Sequence, residues 1–300
     1  MMRIDIFDVG HGGCSVITCP NGARIMLDCG FHLDPAWFPS IAFREQRVDL
    51  LVFNNLDEDH LKDLAFVWQD VRLGSIFSNP TVTAAALAAM KREHGMGNGV
   101  HHAHAILQHY GAGLIGRPAD LGSVRAWAYW NRYGLDFTDT NNLSLTVFIR
   151  YGVFTILFAG DLEAAGWRAL LRVPGFVTDL ASVNVFVASH HGRENGCCEE
   201  VFGACCPDVF VISDEEHQFD SQDTTDWYRQ RARGIPDVGA VPDLFLGYPR
   251  RYVLTTRHDG TLLMRVAPNG RFHIIPQRPL LLSPALRYFP GLLAPWWAAK

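Results

Sequence analysis

Three times along this 300-residue chain, a largely apolar run of strand length stops at side chains able to coordinate a cation. Leu50–Phe53 runs into Asn54-Asn55-Leu56-Asp57-Glu58-Asp59-His60, Val153–Ala159 into Gly160-Asp161, and Val183–Ser189 into His190-His191-Gly192. Such runs are strands buried on both faces. After the first loop, Leu61, Leu64, Ala65 and Trp68 fall at helical spacing, so that loop joins a strand to a helix. Buried strands feeding helices make an α/β fold, which places its chemistry on the loops leaving the strand ends. Carboxylates and neutral imidazoles drawn from three such loops can enclose one or two divalent ions with a coordination position left open. Water bound there becomes a nucleophile near neutral pH.

The rest of the chain agrees with a packed α/β protein. Arg3–Asp8, Cys14–Thr18 and Arg24–Asp28, with Pro20-Asn21-Gly22 as a turn, read as an antiparallel meander. Ser123–Trp130, Leu143–Tyr151 and Val153–Ala159 repeat that pattern and lead into a helix over Asp161–Arg172. Asp208–Ser213, a helix near Thr224–Arg233, and strands at Tyr252–Thr256, Thr261–Val266 and Arg271–Ile275 complete two sheets flanked by helices. Thr81–Tyr110 is Ala-rich and helix-prone around Gly95-Met96-Gly97-Asn98-Gly99, which predicts two helices about a flexible break, an insertion or lid at about 81–112. The segment 276–300 holds several prolines and Trp296-Trp297; it is a tail that packs on the chain's own core or docks a protein partner.

Composition narrows the function classes. A hydrophobic fraction of 48% with 12% aromatics excludes disorder. With 26 Lys+Arg against 31 Asp+Glu the net charge is −5, so no global positive field holds a polyanion, and any nucleic-acid chemistry needs local charge. No apolar run reaches the roughly 18 residues of a membrane span. Met1–Val9 lacks the basic-then-apolar plan of a signal peptide, and the chain reads as cytoplasmic. Seven cysteines, with Cys197-Cys198 and Cys205-Cys206 adjacent, suit reduced thiols; a zinc site on the two pairs is the alternative, at a spacing no common zinc knuckle uses.

The motifs, taken in order, resemble the metallo-β-lactamase-fold hydrolases and within them the ComEC-like branch, the nuclease domain of competence channel proteins. The matching residues are Asp8-Val9-Gly10-His11-Gly12, Leu27-Asp28-Cys29-Gly30, Asp57-Glu58-Asp59-His60, Asn141-Asn142-Leu143-Ser144-Leu145, Ala159-Gly160-Asp161, Ser189-His190-His191-Gly192, Pro207 through Ser213, and Thr255-Thr256-Arg257-His258-Asp259-Gly260, covering roughly 1–275. The resemblance implies a four-layer αββα sandwich with metal at one edge of the two sheets. It implies a metal-dependent hydrolase, foremost a phosphodiesterase or nuclease acting on nucleic acid or a nucleotide. Carried over by position, Asp57, Asp59 and His60 are ligands from the first loop, Asp161 is the bridging or second-site carboxylate, and His190 is the ligand from the last loop. Asp28 is a buried carboxylate ordering the ligand loops, and His191 stabilises the leaving group. Asp59 also orients the attacking water, and the Asn141-Asn142 loop stands where other branches supply a further His.

The departures carry information too. The branch reads His-x-Asp-x-Asp-His, so Asn55 replaces the first His, and an amide oxygen is a poorer ligand than imidazole for a transition metal. Gly13 stands where the branch has Asp, and His11 where it has Gln. A ligand set of Asn55, Asp57, Asp59, His60, Asp161 and His190 is oxygen-rich, which tilts the choice toward Mn²⁺ with Zn²⁺ still open. Two other readings stand: a hydrolase of a nucleotide signal, ester or lactone, and a degenerate binding module that holds no metal.

Weaker features each carry two readings. His94, His101, His102, His104 and His109 suggest extra metal binding or a partly solvated helix. Arg229, Arg231 and Arg233 beside Trp227 and Tyr228 suggest a phosphate grip with base stacking, or a solvated face balanced by Asp223 and Asp226. His217, between Asp214 and Asp220, is a candidate general acid or a surface hydrogen-bonding group. His32, His258 and His273 read as structural.

Overall fold

The computed structural model describes residues 1–34, 36–216, 220–237 and 248–277. Its main elements are two facing sheets. The first contains β1 (Met2–Ile6), β2 (Ser15–Thr18), β3 (Arg24–Leu27), β4 (Arg47–Val52), β5 (Arg72–Phe77) and β6 (Leu114–Gly116). The second contains β7 (Val124–Tyr129), β8 (Thr146–Tyr151), β9 (Phe154–Phe158), β10 (Val185–Val187), β11 (Val209–Ile212) and β12 (Val253–Thr255). The chain then returns to the first sheet as β13 (Thr261–Val266) and β14 (Phe272–Gln277). The strand orders are β14-β13-β1-β2-β3-β4-β5-β6 and β12-β11-β10-β9-β8-β7.

Side-chain alternation along the strands explains the layering. Ile25 and Leu27 of β3 point inward to meet Ile156 and Phe158 of β9, together with Val209 and Val211 of β11, in one core between the sheets. The residues between them point outward. Met26 and Leu51 pack under the helices Leu64–Asp70, Ala84–Met90 and Asn98–Tyr110. Phe148, Leu157 and Phe210 pack under the helices Ala164–Leu170 and Phe176–Leu180. The result is the four-layer αββα sandwich.

Three expectations need correction. The helix expected from His60 is split into Glu58–Leu61 and Leu64–Asp70, and the strands β5 and β6 escaped notice because both contain glycine and β6 is only three residues long. The final strand runs to Gln277, so Pro276 belongs to the sheet; it sits on an edge strand, where a missing N–H costs no ladder bond. The remainder of the tail, 278–300, lies outside the described residues.

The third correction concerns the segment 81–112. Its two helices bury Ala86, Leu87, Val100, Ala103, Ile106 and Leu107 against Leu61, Leu64 and Val67, so they form the outer helical layer and not a cover over a site. The glycine-rich break is a tight joint. Glu58 accepts the N–H groups of Gly99 and Val100, both at 3.0 Å, at the N-terminus of the helix Asn98–Tyr110, where a carboxylate is favoured. A Cβ on Gly99 would stand 2.0 Å from the carbonyl oxygen of Leu61, so the close approach needs glycine.

Candidate metal centre

Five strands that run parallel to a sheet neighbour deliver the site. β3 and β4 in one sheet and β9, β10 and β11 in the other end at the same edge of the sandwich, and the first polar residues beyond their C-terminal ends are Asp28, Asn54, Asp161, Ser189 and Ser213. The loops are knitted to one another through the backbone. Cys29 donates its N–H to the carbonyl of His60 at 2.8 Å, and His190 donates to the carbonyl of Gly160 at 2.9 Å. The Ser213 hydroxyl donates to the carbonyl of Gly12 at 3.0 Å. Asp28, His190 and His191 are held at positive φ, 60°, 49° and 53°. Non-glycine residues rarely adopt that region, and here they cluster at the joined loops.

Four side chains converge: Asp59, His60, Asp161 and His191, each offering one ligand atom, with all four atoms within 4.8 Å of one another. His60 Nε2 lies 3.0 Å from Asp161 Oδ1 and 3.3 Å from His191 Nε2. His191 Nε2 in turn lies 3.3 Å from Asp59 Oδ2 and 3.4 Å from Asp161 Oδ1. What makes this a cation site is the other face of each imidazole. His60 Nδ1 is 2.7 Å from the Asp28 carboxylate, and His191 Nδ1 is 2.9 Å from the carbonyl oxygen of Ser213. A carbonyl only accepts, so His191 carries its proton on Nδ1, and the carboxylate fixes the same tautomer in His60. Both Nε2 lone pairs then face each other and two carboxylates across a cavity of about 40 Å³. Four acceptors with no donor among them need a positive charge at their centre.

The electrostatics say the same. Burial alone would lower the pKa of His60, but the charges of Asp161, Asp28 and Asp59 outweigh it and hold that pKa well above the usual imidazole range. Burial also opposes protonation of His191, yet the charge of Asp161 and hydrogen bonds to Asp161 and Asp59 raise its pKa to about 9. Asp59 and Asp161 are pushed the other way: burial would raise both, and the neighbouring imidazoles outweigh it and hold both carboxyls below the usual range. Two Asp oxygens and two His nitrogens make a mixed donor set that suits Zn²⁺, Mn²⁺ or Fe²⁺. The residues present therefore fit a divalent ion.

The structure rearranges the expected ligand set. Asp59, His60 and Asp161 lie in the cluster, whereas Asn55, Asp57 and His190 do not. Asn55 is buried and its Oδ1 accepts the N–H of Asp57 at 2.8 Å, shaping the loop. Asp57 turns to Lys91, with which it forms an ion pair, and accepts from Thr140 Oγ1 at 2.8 Å. His190 has its Nδ1 facing Glu163 at 3.8 Å. His191 lies in the cluster in its place, because two successive left-handed residues swing the second imidazole inward and Ser213 holds it there.

Lys91 and the carbonyl of Ser213 escaped the sequence reading, since a lone lysine in an Ala-rich segment and a backbone oxygen carry no motif. His11 lies beside the centre, its ring centroid 6.1 Å from that of His191, and its Nε2 is 3.2 Å from Gln222 Nε2. Burial, followed by the charges of His191 and Arg193, lowers its pKa. His217 lies outside the described residues.

Two of the three clustered arginines are engaged by acids. Arg231 pairs with Glu199 and lies 3.9 Å over the Trp227 ring, Arg233 is 3.3 Å from Asp208, and Tyr228 is buried, so the acids balancing this face are Glu199 and Asp208. The seven cysteines are free thiols. Among the described residues, neither they nor the histidines of the helix Asn98–Tyr110 join a metal-type cluster. No helix of the described residues is long and apolar enough to cross a membrane.

No family model matches the sequence, and no curated protein matches it. Among solved structures it is similar to the diiron β-hydroxylase CmlA from Streptomyces venezuelae, at 15% identity and a TM-score of 0.47; the match covers 76% of this chain and 50% of that one. It is also similar to a diphosphatase of the PhnP family, at 9% identity and a TM-score of 0.46, covering 89% of this chain and 98% of that one. An archaeal metallo-β-lactamase superfamily protein from Sulfolobus tokodaii matches at 15% identity and a TM-score of 0.31, covering 53% of this chain and 62% of that one. The chain thus spans half the length of the hydroxylase. Likeness at these scores assigns no activity, and the side chains must carry the chemistry.

Proposed function

We propose that the protein is a metal-dependent hydrolase acting on phosphodiesters. The observation that carries this reading is the convergence of Asp59 Oδ2, His60 Nε2, Asp161 Oδ1 and His191 Nε2, with the opposite nitrogen of each imidazole tied. A divalent ion held there supplies Lewis acidity, lowering the pKa of water and drawing charge from an ester oxygen. The protein's own share is orientation. Asp28 and Ser213 hold the Nδ1 proton of each imidazole, so Nε2 is the nitrogen turned to the centre and left for the ion. The Asp59 side chain is 30% exposed against 4–6% for the other three, so substrate reaches the centre from its side. The cavity lined by His60, Asp161 and His191 is only about 40 Å³, so the substrate body rests outside it. His11 stands beside His191 with its Nε2 against Gln222, and burial favours its neutral form.

The order of the motifs, similar to the ComEC-like nuclease branch, supports a phosphodiester as substrate. Arg231 and Arg233 are already matched by acids, which favours a small phosphodiester or nucleotide over a long nucleic acid. Ester and lactone hydrolysis use the same donors and form the second reading. The test is hydrolysis of a chromogenic phosphodiester, a cyclic nucleotide, single-stranded DNA and an aryl ester by protein loaded with Zn²⁺ or Mn²⁺. Turnover of a phosphodiester that disappears in Asp59→Ala with His60→Ala supports the reading. Turnover of the aryl ester alone transfers it to the second, and activity that survives the double substitution removes the cluster from the mechanism.

A further inference from the structure

We propose that this centre is built for a single ion, with the Lys91 ammonium serving as the fixed cation of the same loop; the inference rests on the metal-binding reading above and adds its stoichiometry. The ligand-type groups of the loop before Asp59 that lie outside the cluster are already committed. Asp57, two residues before the ligand Asp59, is engaged by Lys91 and by Thr140, and the Lys91 ammonium lies 3.5 Å from the Thr140 hydroxyl. The pair is shielded, with side-chain exposures of 15% for Lys91 and 22% for Asp57, so water screens it less than a surface pair. Asn55 has spent its oxygen on the N–H of Asp57, which leaves its amide donor, a group that repels a cation. Near His190, Glu163 Oε1 accepts from the amides of Asn141 and Asn195 at 3.1 and 2.8 Å.

Charge bookkeeping points the same way. Asp59 and Asp161 bring two negative charges to the ligand positions, which one divalent ion balances; Asp28 stands behind His60, and Lys91 balances Asp57. A second ion would meet an ammonium where it needs a carboxylate. Lys91 is therefore a positioning residue: it acts on metal stoichiometry through Asp57.

Equilibrium dialysis of the full chain against Mn²⁺, read by elemental analysis and electron paramagnetic resonance, tests this. The expected result is one equivalent with the spectrum of an isolated ion. Asp57→Asn retains that equivalent with a Kd within about threefold of the parent, whereas Asp161→Asn loses it. Lys91→Ala frees the Asp57 carboxylate and takes up a second, weaker equivalent, while Lys91→Arg stays at one; circular dichroism confirms that each variant is folded. Two equivalents in the parent, loss of the ion in Asp57→Asn, or a Lys91→Ala protein that stays at one overturns the inference and leaves the metal-binding reading in place. A parent protein that holds no ion overturns both, and should Lys91→Ala not fold, the Asp57→Asn result decides.

Discussion

Asp28→Asn isolates what the carboxylate behind His60 contributes. Asn tolerates the left-handed backbone that Asp28 adopts at φ 60°, so the substitution adds little strain and changes mainly charge and hydrogen bonding. The carboxylate accepts three N–H groups, from His60 Nδ1 at 2.7 Å, Asn54 at 2.7 Å and Asn55 at 3.5 Å. An amide has one accepting oxygen. If that oxygen stays on Asn54, the amide N–H meets His60 Nδ1, which must then accept, and the imidazole proton moves to Nε2. Nε2 lies 3.0 Å from Asp161 Oδ1, inside the cluster, so the proton takes the lone pair a metal would use. Loss of such a support weakens metal affinity by about 10- to 100-fold, or roughly 1.4–2.7 kcal/mol. Competition for Zn²⁺ against a chromophoric chelator measures it. An affinity within about threefold of the parent would refute the tautomer argument. A loss as complete as that of His60→Ala would also refute it, by making Asp28 itself a ligand.

Three further outcomes follow from the geometry. The adjacent imidazoles should separate cleanly: His191→Ala abolishes tight Zn²⁺ binding and His190→Ala keeps it, as read by the same competition, and the reverse would restore the ligand assignment expected from the motif. Gly99→Ala forces a Cβ to within 2.0 Å of the Leu61 carbonyl and should cost about 1–3 kcal/mol, seen as a drop of several degrees in thermal melting; an unchanged melt would mean that the helix Asn98–Tyr110 is free to shift. In metal-free protein, His191 has its pKa raised from 6.5 to about 9, so its contribution to stability is complete below pH 6.5 and is lost as pH rises through about 9. Melting should therefore fall over that window without metal and flatten when Zn²⁺ replaces the proton; a metal-free profile that rises with pH would contradict the buried charge arrangement.

Much of the site was legible because coordination chemistry restricts residue type. Asp59, His60 and Asp161 stand at strand ends, and few other roles explain a carboxylate and an imidazole arriving there together. Asn55, Asp57 and His190 lie outside the cluster for local reasons that no spacing rule contains. Asp57 has the right type and loop, yet an ammonium 34 residues away in sequence claims it. Asn55 is consumed by the turn it makes. His190 and His191 are chemically identical, and only backbone dihedrals and the Ser213 carbonyl decide which one faces the cluster.

The same division holds for the whole molecule. Apolar patterning along short strands was enough to indicate two sheets flanked by helices, because hydrophobic burial follows a period that can be read residue by residue, while their stacking about one core was implied by the resemblance. The segment 81–112 shows where that ends. Its helices were evident from composition, but whether they cap a site or complete a layer depended on Leu61, Leu64 and Val67, and on Glu58 gripping the N-terminus of the second helix. Tertiary structure alone decided that placement, the partner of Asp57 and the choice between two histidines. Each depends on groups brought within a few ångströms by packing from distant parts of the chain, and electrostatic and hydrogen-bonding energies act over that distance, not over sequence separation.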